Sequence, residues 1–238
     1  MSVNLKVTSL VDGVLDALLP AHCLLCGARG QGHLSLCADC AAELPRNKVC
    51  CARCALPLAT PAPLCGRCIK RAPAWDAAWV PFRYEWPLGQ LETRFKFGGD
   101  LASGRTLSLL WAGAPRPDEL PQAIVPVPLH RSRLRRRGYN QALELAKPLA
   151  RALGIPLSRD ALQRNRATTA QTDLSAIQRR RNVRGAFALR ERDALPAHVA
   201  VLDDVFTTGA TLGECARVLR RAGVQRVDVW ALARAPVH

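Results

Sequence analysis

Aromatic residues are scarce in this 238-residue chain: Phe, Trp and Tyr together make up 5%. So few flat side chains leave little material for stacking against nucleobases, and any nucleic-acid binding would rest on backbone contacts. Histidine is sparse too, at 5 residues, so a general base working near neutral pH has few candidates. No stretch approaches the roughly 20 uninterrupted apolar residues that a membrane-spanning helix needs. The first residues lack a basic start followed by an apolar run and a small-residue cleavage site, which argues against secretion. Acids are also in deficit, with 19 Asp and Glu against 34 Lys and Arg, a formal charge of +15. The expectation is a soluble cytoplasmic protein attracted to anions.

Apolar residues reach 49%, which supplies a core and argues against wholesale disorder. The length suits one α/β domain plus a smaller module. Most of the basic excess is arginine, whose planar fork matches phosphate oxygens better than the point charge of lysine. A solvated arginine-rich surface would give the same composition. Charge alone does not choose between nucleic acid and phosphorylated metabolites as partners.

Cysteine is the exception to scarcity. There are ten, and nine fall between residues 23 and 68. They include four Cys-x-x-Cys pairs: Cys23/Cys26, Cys37/Cys40, Cys51/Cys54 and Cys65/Cys68. The last two pairs repeat the first two at an offset of 28 residues, which implies two copies of one small unit. Two residues between thiols let both point into one tetrahedral site, and four thiolates close the shell of a structural zinc ion. Disulfides are disfavoured in a reducing compartment. Two zinc ions are therefore expected. The repeat favours consecutive four-cysteine sites, with an interleaved cross-brace as the alternative. Cys50 and Cys215 are expected bystanders, and His22 and His33 are superfluous as ligands.

Before the cysteines, Leu5, Val7, Leu10, Val11, Val14, Leu15, Leu18 and Leu19 recur at helical spacing up to Pro20. Near Trp75 the composition shifts, so the expected division is an N-terminal helix plus cysteine-rich module over residues 1–74 and an α/β domain over residues 75–238. In the second part, strands are expected over residues 79–84, 123–128, 199–202 and 227–232. Helices are expected to begin at Leu88 and to cover residues 139–153 and 212–221. This alternation implies a mostly parallel sheet with helices on both faces. Ligands of such sheets sit beyond the carboxyl ends of the strands.

At one such end stands VLDDVFTTGATL, residues 201–212. Thr207, Thr208, Gly209, Ala210 and Thr211 lie between a strand and a helix, where unpaired amides and hydroxyls form a phosphate cradle. Asp203 and Asp204 accept hydrogen bonds only, so they want hydroxyls or a cation. A sugar phosphate, and a phosphorylated pentose above all, satisfies both halves at once.

An apolar strand, two acids and Thr-Thr-Gly-x-Thr resemble the phosphoribosyl-pyrophosphate (PRPP) motif of type I phosphoribosyltransferases. The segments IVPVPLH (124–130), RGYNQA (137–142), QTDLS (171–175), RNVRGAF (181–187) and Phe95-Lys96-Phe97, with the double zinc ribbon, resemble the competence-related ComF family over essentially the whole chain. That resemblance implies residues 207–211 on the 5′-phosphate, Asp203 and Asp204 as catalytic groups on the ribose hydroxyls, and Mg²⁺ accompanying PRPP. It implies a pyrophosphate side in His130, Arg131, Arg133 and Arg137, although a charge run is also read as a solvated face. It implies a lid over residues 164–184, including Arg164, Gln171 and Arg181, where a plain surface helix is the alternative. Single-stranded DNA and helicase-like or recombination proteins of DNA uptake are the implied partners. The acceptor of the phosphoribosyl group is not marked by any residue.

Overall fold

The computed structural model describes residues 21–32, 34–166, 176–190 and 195–236. The expected helix over residues 5–19, His33 and the segment containing Gln171 lie outside them. Two short helices, α1 (Ala38–Ala42) and α2 (Gly66–Lys70), precede strands β1 (Ala78–Trp79) and β2 (Phe82–Arg83). Helices α3 (Leu88–Phe97) and α4 (Leu101–Ala112) follow, then β3 (Ala123–Pro126), α5 (Arg131–Arg137) and α6 (Gln141–Leu153). The chain continues through β4 (Leu162–Arg164), α7 (Ala176–Val183), β5 (Phe187–Leu189), β6 (His198–Phe206), α8 (Ala210–Arg221) and β7 (Arg226–Arg234).

Strands β1, β7, β6 and β3 are neighbours in that order, β2 also pairs with β7, and every pairing in this sheet is parallel. Parallel strands require crossovers, and the helices supplied by those crossovers cover the sheet. That is why β6 and β7 read as almost continuous apolar runs: Val199 to Leu202 and Val227 to Ala233 are buried, with Asp228 the polar exception. Helix α6 packs on β3 and β6, α8 packs on β6 and β7, and α4 packs on α6. Three indoles anchor the edge of the sheet. The ring of Trp79 lies 4.8 Å from that of Trp230 and 5.7 Å from that of Trp111. Strands β4 and β5 form a separate antiparallel pair. No helix among the described residues is long and apolar enough to cross a membrane.

Several boundaries differ from those expected. The strand expected over residues 79–84 is two pieces, because Pro81 has no N–H to donate to the ladder. Register survives the break: Trp79 pairs with Trp230 and Phe82 with Ala233. Strand β3 stops at Pro126 rather than at residue 128. Strand β6 runs on to Phe206, since β7 continues beside it, so Asp203 and Asp204 stand inside the strand instead of after it. Helix α8 starts at Ala210, two residues earlier than the apolar spacing suggests.

Candidate functional site

The two cysteine groups fold as copies. Gly27 and Ala55, 28 residues apart, both take positive φ, at 78° and 52°. Their amides bond back to the carbonyls of Cys23 and Cys51 at 2.9 and 2.8 Å. Cys37 and Cys65 each open a five-residue helix. The thiols group as Cys23, Cys26, Cys37 and Cys40 and as Cys51, Cys54, Cys65 and Cys68, each set within 4.8 Å. A zinc–sulfur distance of about 2.3 Å requires a tetrahedral edge of about 3.8 Å. Sγ separations of 3.6 Å for Cys26–Cys37 and for Cys54–Cys65 match it. Burial opposes ionisation of Cys23 and Cys51, yet knuckle amides outweigh it and bring them to about 6 and about 7. The residues present therefore fit two structural zinc ions in consecutive sites, and the cross-brace is excluded. Cys50 and Cys215 belong to neither group.

A crevice of about 400 Å³ opens at the carboxyl ends of β3 and β6. One wall is the turn into α8, with Thr207, Gly209, Ala210 and Thr211 lining it. Gly209 takes φ 73°, and a Cβ there would meet Phe206 and Trp75 at 2.8 Å each. Glycine is thus required both for backbone conformation and for space. Thr208 turns its hydroxyl to accept from the Ala210 amide at 3.3 Å, and it is not among the lining residues. The facing walls carry Lys96, Arg133, Arg136, Arg137 and Arg164.

The acids meet a lysine from a distant element. Lys96 on α3 places its Nζ 2.8 Å from Asp204 Oδ2 and 3.2 Å from Glu92 Oε1. The Tyr84 hydroxyl donates to the other Glu92 oxygen at 3.2 Å. Asp204 is buried, and burial alone would raise its pKa, but Lys96 and the Val205 amide hold it below the ordinary carboxylate range. Asp203 goes the other way: burial, then the neighbouring Asp204 charge, push it well above that range. Lys96, flanked by Asp204 and Glu92, is held above the usual lysine value despite its burial.

Glu92 is wholly buried, and burial followed by the Asp204 charge raises it from 4.5 to about 7. The folded state then binds the Glu92 proton more tightly than the unfolded chain does. Its stabilising contribution is complete below about pH 4.5 and is lost as pH rises through 7. Denaturant titrations should show wild type losing stability relative to Glu92→Gln across that window, by about 1–3 kcal/mol. Parallel pH profiles for the two proteins would rule this out.

The remaining expected residues divide. Arg133 and Arg137 line the crevice, whereas His130 and Arg131 do not. His130 is the N-cap of α5, its Nδ1 accepting from the Ser132 amide at 3.3 Å and lying 2.7 Å from the Ser132 hydroxyl. Arg164 ends β4, buried, with its guanidinium 5.2 Å from the Phe187 ring centroid. Arg181 is exposed on α7, a helix packed against α8, and Gln171 is outside the described residues. Arg136, part of the arginine run after β3, lines the crevice as well, whereas Lys96, Glu92 and Tyr84 carry no local sequence signal of a site role beyond the place of Lys96 in the Phe95-Lys96-Phe97 segment.

Fold and site define a class: an α/β protein with a parallel sheet, two zinc ribbons ahead of it, and a crevice lined by acids, arginines and a lysine. Residues 14–69 match the double zinc ribbon domain. The chain is 40% identical over 225 residues to Competence protein F of Haemophilus influenzae, covering 90% of this chain and 97% of that protein. It is 37% identical over 223 residues to DNA utilization protein YhgH of Escherichia coli K12, covering 91% and 98%. Competence protein ComFC of Streptococcus pneumoniae is 24% identical over 161 residues, covering 64% and 66%. The chain belongs to the ComF family.

Proposed function

We propose that the protein binds PRPP with Mg²⁺ in the crevice at the end of β6, as a phosphoribosyltransferase-like protein acting in competence and the use of incoming DNA. One observation carries this: the acid pair Asp203 and Asp204, Thr207, Gly209, Ala210 and Thr211 of the turn, and the arginines Arg133, Arg136 and Arg137 line a single opening. In this reading the turn takes the 5′-phosphate, the acids take the ribose hydroxyls, and the arginines face pyrophosphate. Departure of pyrophosphate leaves positive charge on the sugar and negative charge on the leaving group. Carboxylates beside one and guanidinium groups beside the other stabilise both. Magnesium is commonly held by one or two carboxylates plus substrate phosphates. Asp203 and Asp204 suit that arrangement, with no third ligand grouped beside them among the described residues. The role in DNA use is supported by the names of the relatives, and the two-unit division over residues 1–74 and 75–238 belongs to the same proposal.

Calorimetric titration of the zinc-loaded protein with PRPP and Mg²⁺ tests the reading. Asp203→Asn combined with Asp204→Asn should weaken binding about 100-fold, or ~2.7 kcal/mol, abolish any turnover and leave zinc content unchanged. No heat from the wild type at millimolar PRPP, or equal binding by the double variant, would overturn it.

A second reading has its own observation. Arg131, Arg135 and Arg136 are exposed on α5, and Arg136 joins the rim of the crevice. Such a face suits a nucleic-acid backbone, with the PRPP site regulatory or vestigial and helicase-like or recombination proteins as partners. Binding of single-stranded DNA should then fall steeply with salt. Titrating PRPP with and without that DNA separates the two readings.

A further inference from the structure

The two ribbons are copies in sequence and knuckle geometry, but they attach to the sheet differently. In the second ribbon, three successive knuckle carbonyls are taken by the α/β body. Ala52 accepts from the Ala78 amide at 2.8 Å, Arg53 from the Trp75 indole at 2.5 Å, and Cys54 from Arg234 Nε at 2.9 Å. The first ribbon has a counterpart to one of these: Leu24 accepts from Arg94, a half-exposed side chain, at 2.6 Å.

Both side chains gripping the second ribbon also hold the turn into α8. Arg234 is buried, and its Nη1 reaches the carbonyls of Phe206 at 2.7 Å and Thr207 at 2.6 Å. Its guanidinium also covers the Phe206 ring, 4.5 Å from the centroid. The Trp75 ring meets Phe206 edge-on at 5.7 Å and fills the space beside Gly209 and Gly213. One guanidinium and one indole thus span from a zinc knuckle to the backbone of the turn.

We propose that Arg234 and Trp75 are positioning residues through which the second zinc site fixes the shape of the 207–211 turn, and with it the affinity for a phosphorylated ligand. The part concerning affinity rests on the PRPP reading above; the part concerning the turn does not. An arginine suits this task because its fork bonds two directions at once and keeps its charge when buried. Lysine in its place offers one point of attachment.

The test uses the full chain in four forms: wild type, Cys65→Ser, Cys37→Ser and Arg234→Lys. Zinc content, amide hydrogen exchange over residues 204–212, and calorimetry with PRPP and Mg²⁺ are measured on each. Cys65→Ser should lose one zinc, speed exchange in the turn and weaken PRPP at least tenfold, ~1.4 kcal/mol. Cys37→Ser should also lose one zinc while leaving exchange in the turn and PRPP affinity within about twofold, ~0.4 kcal/mol. Arg234→Lys should keep both zinc ions yet reproduce the faster exchange and the tenfold loss, and it decides the matter if either cysteine variant fails to fold. Equal exchange in the turn for wild type and Arg234→Lys overturns the coupling. Wild-type protein that ignores PRPP overturns the PRPP reading alone, because the exchange comparison still stands.

Discussion

Stripping both zinc ions should unfold the cysteine modules and lower the melting temperature of the whole chain, with recovery when zinc is returned. The expectation follows from how small an apolar core the second module has of its own. The second has an apolar cluster whose buried members are Cys51, Cys65 and Cys68, all of them ligands. Its helix, α2, is a single turn that could not persist alone. Structural zinc contributes about 10–16 kcal/mol in small zinc-binding peptides, far more than so small a core supplies. Melting curves and circular dichroism after chelation measure the effect. A chain that melts unchanged without metal would show that the thiols are spectators of a self-sufficient fold.

Gly209→Ala should be the most damaging single exchange in the crevice that removes no charge. A left-handed backbone costs a residue with a Cβ about 1–2 kcal/mol. Contacts at 2.8 Å with both Phe206 and Trp75 add the cost of overpacking, typically about 1–3 kcal/mol. Together they amount to about 2–5 kcal/mol, or roughly 10 °C in melting temperature for a chain of this size. PRPP binding should fall below detection while zinc content stays at the wild-type value. Calorimetric melting and titration check both halves, and a variant that melts and binds like wild type would mean the turn adapts freely.

What the sequence disclosed and what it hid follow a physical division. Zinc ligation needs thiols at short, fixed spacing, so eight cysteines named the modules outright. The β6–turn–α8 passage is also local, and its glycine, hydroxyls and acids are adjacent in the chain. Lys96 and Glu92 come from α3, over a hundred residues before Asp204, and no local pattern announces that meeting. Helix α5 carries no helical signal in sequence, because RSRLRRR has one apolar residue and no periodicity. Its ends make it helical: His130 caps the start and Gly138 closes it at φ 87°. Adjacency misleads there, since His130 and Arg131 follow the strand yet do not line the crevice that Arg133 and Arg137 reach. Helix α4 was missed for another reason. LASGRTLSLLWA buries Ser103, Gly104, Thr106 and Ser108, small polar positions that a hydrophobic count passes over.

The ammonium of Lys96 between Glu92 and Asp204 bears on metal discrimination. Free divalent cations approaching Asp204 meet a fixed positive charge 2.8 Å from the oxygen they would need. Like charges at such range repel, and more strongly the less water lies between them. On the PRPP reading proposed above, magnesium would therefore enter together with the phosphorylated ligand rather than ahead of it.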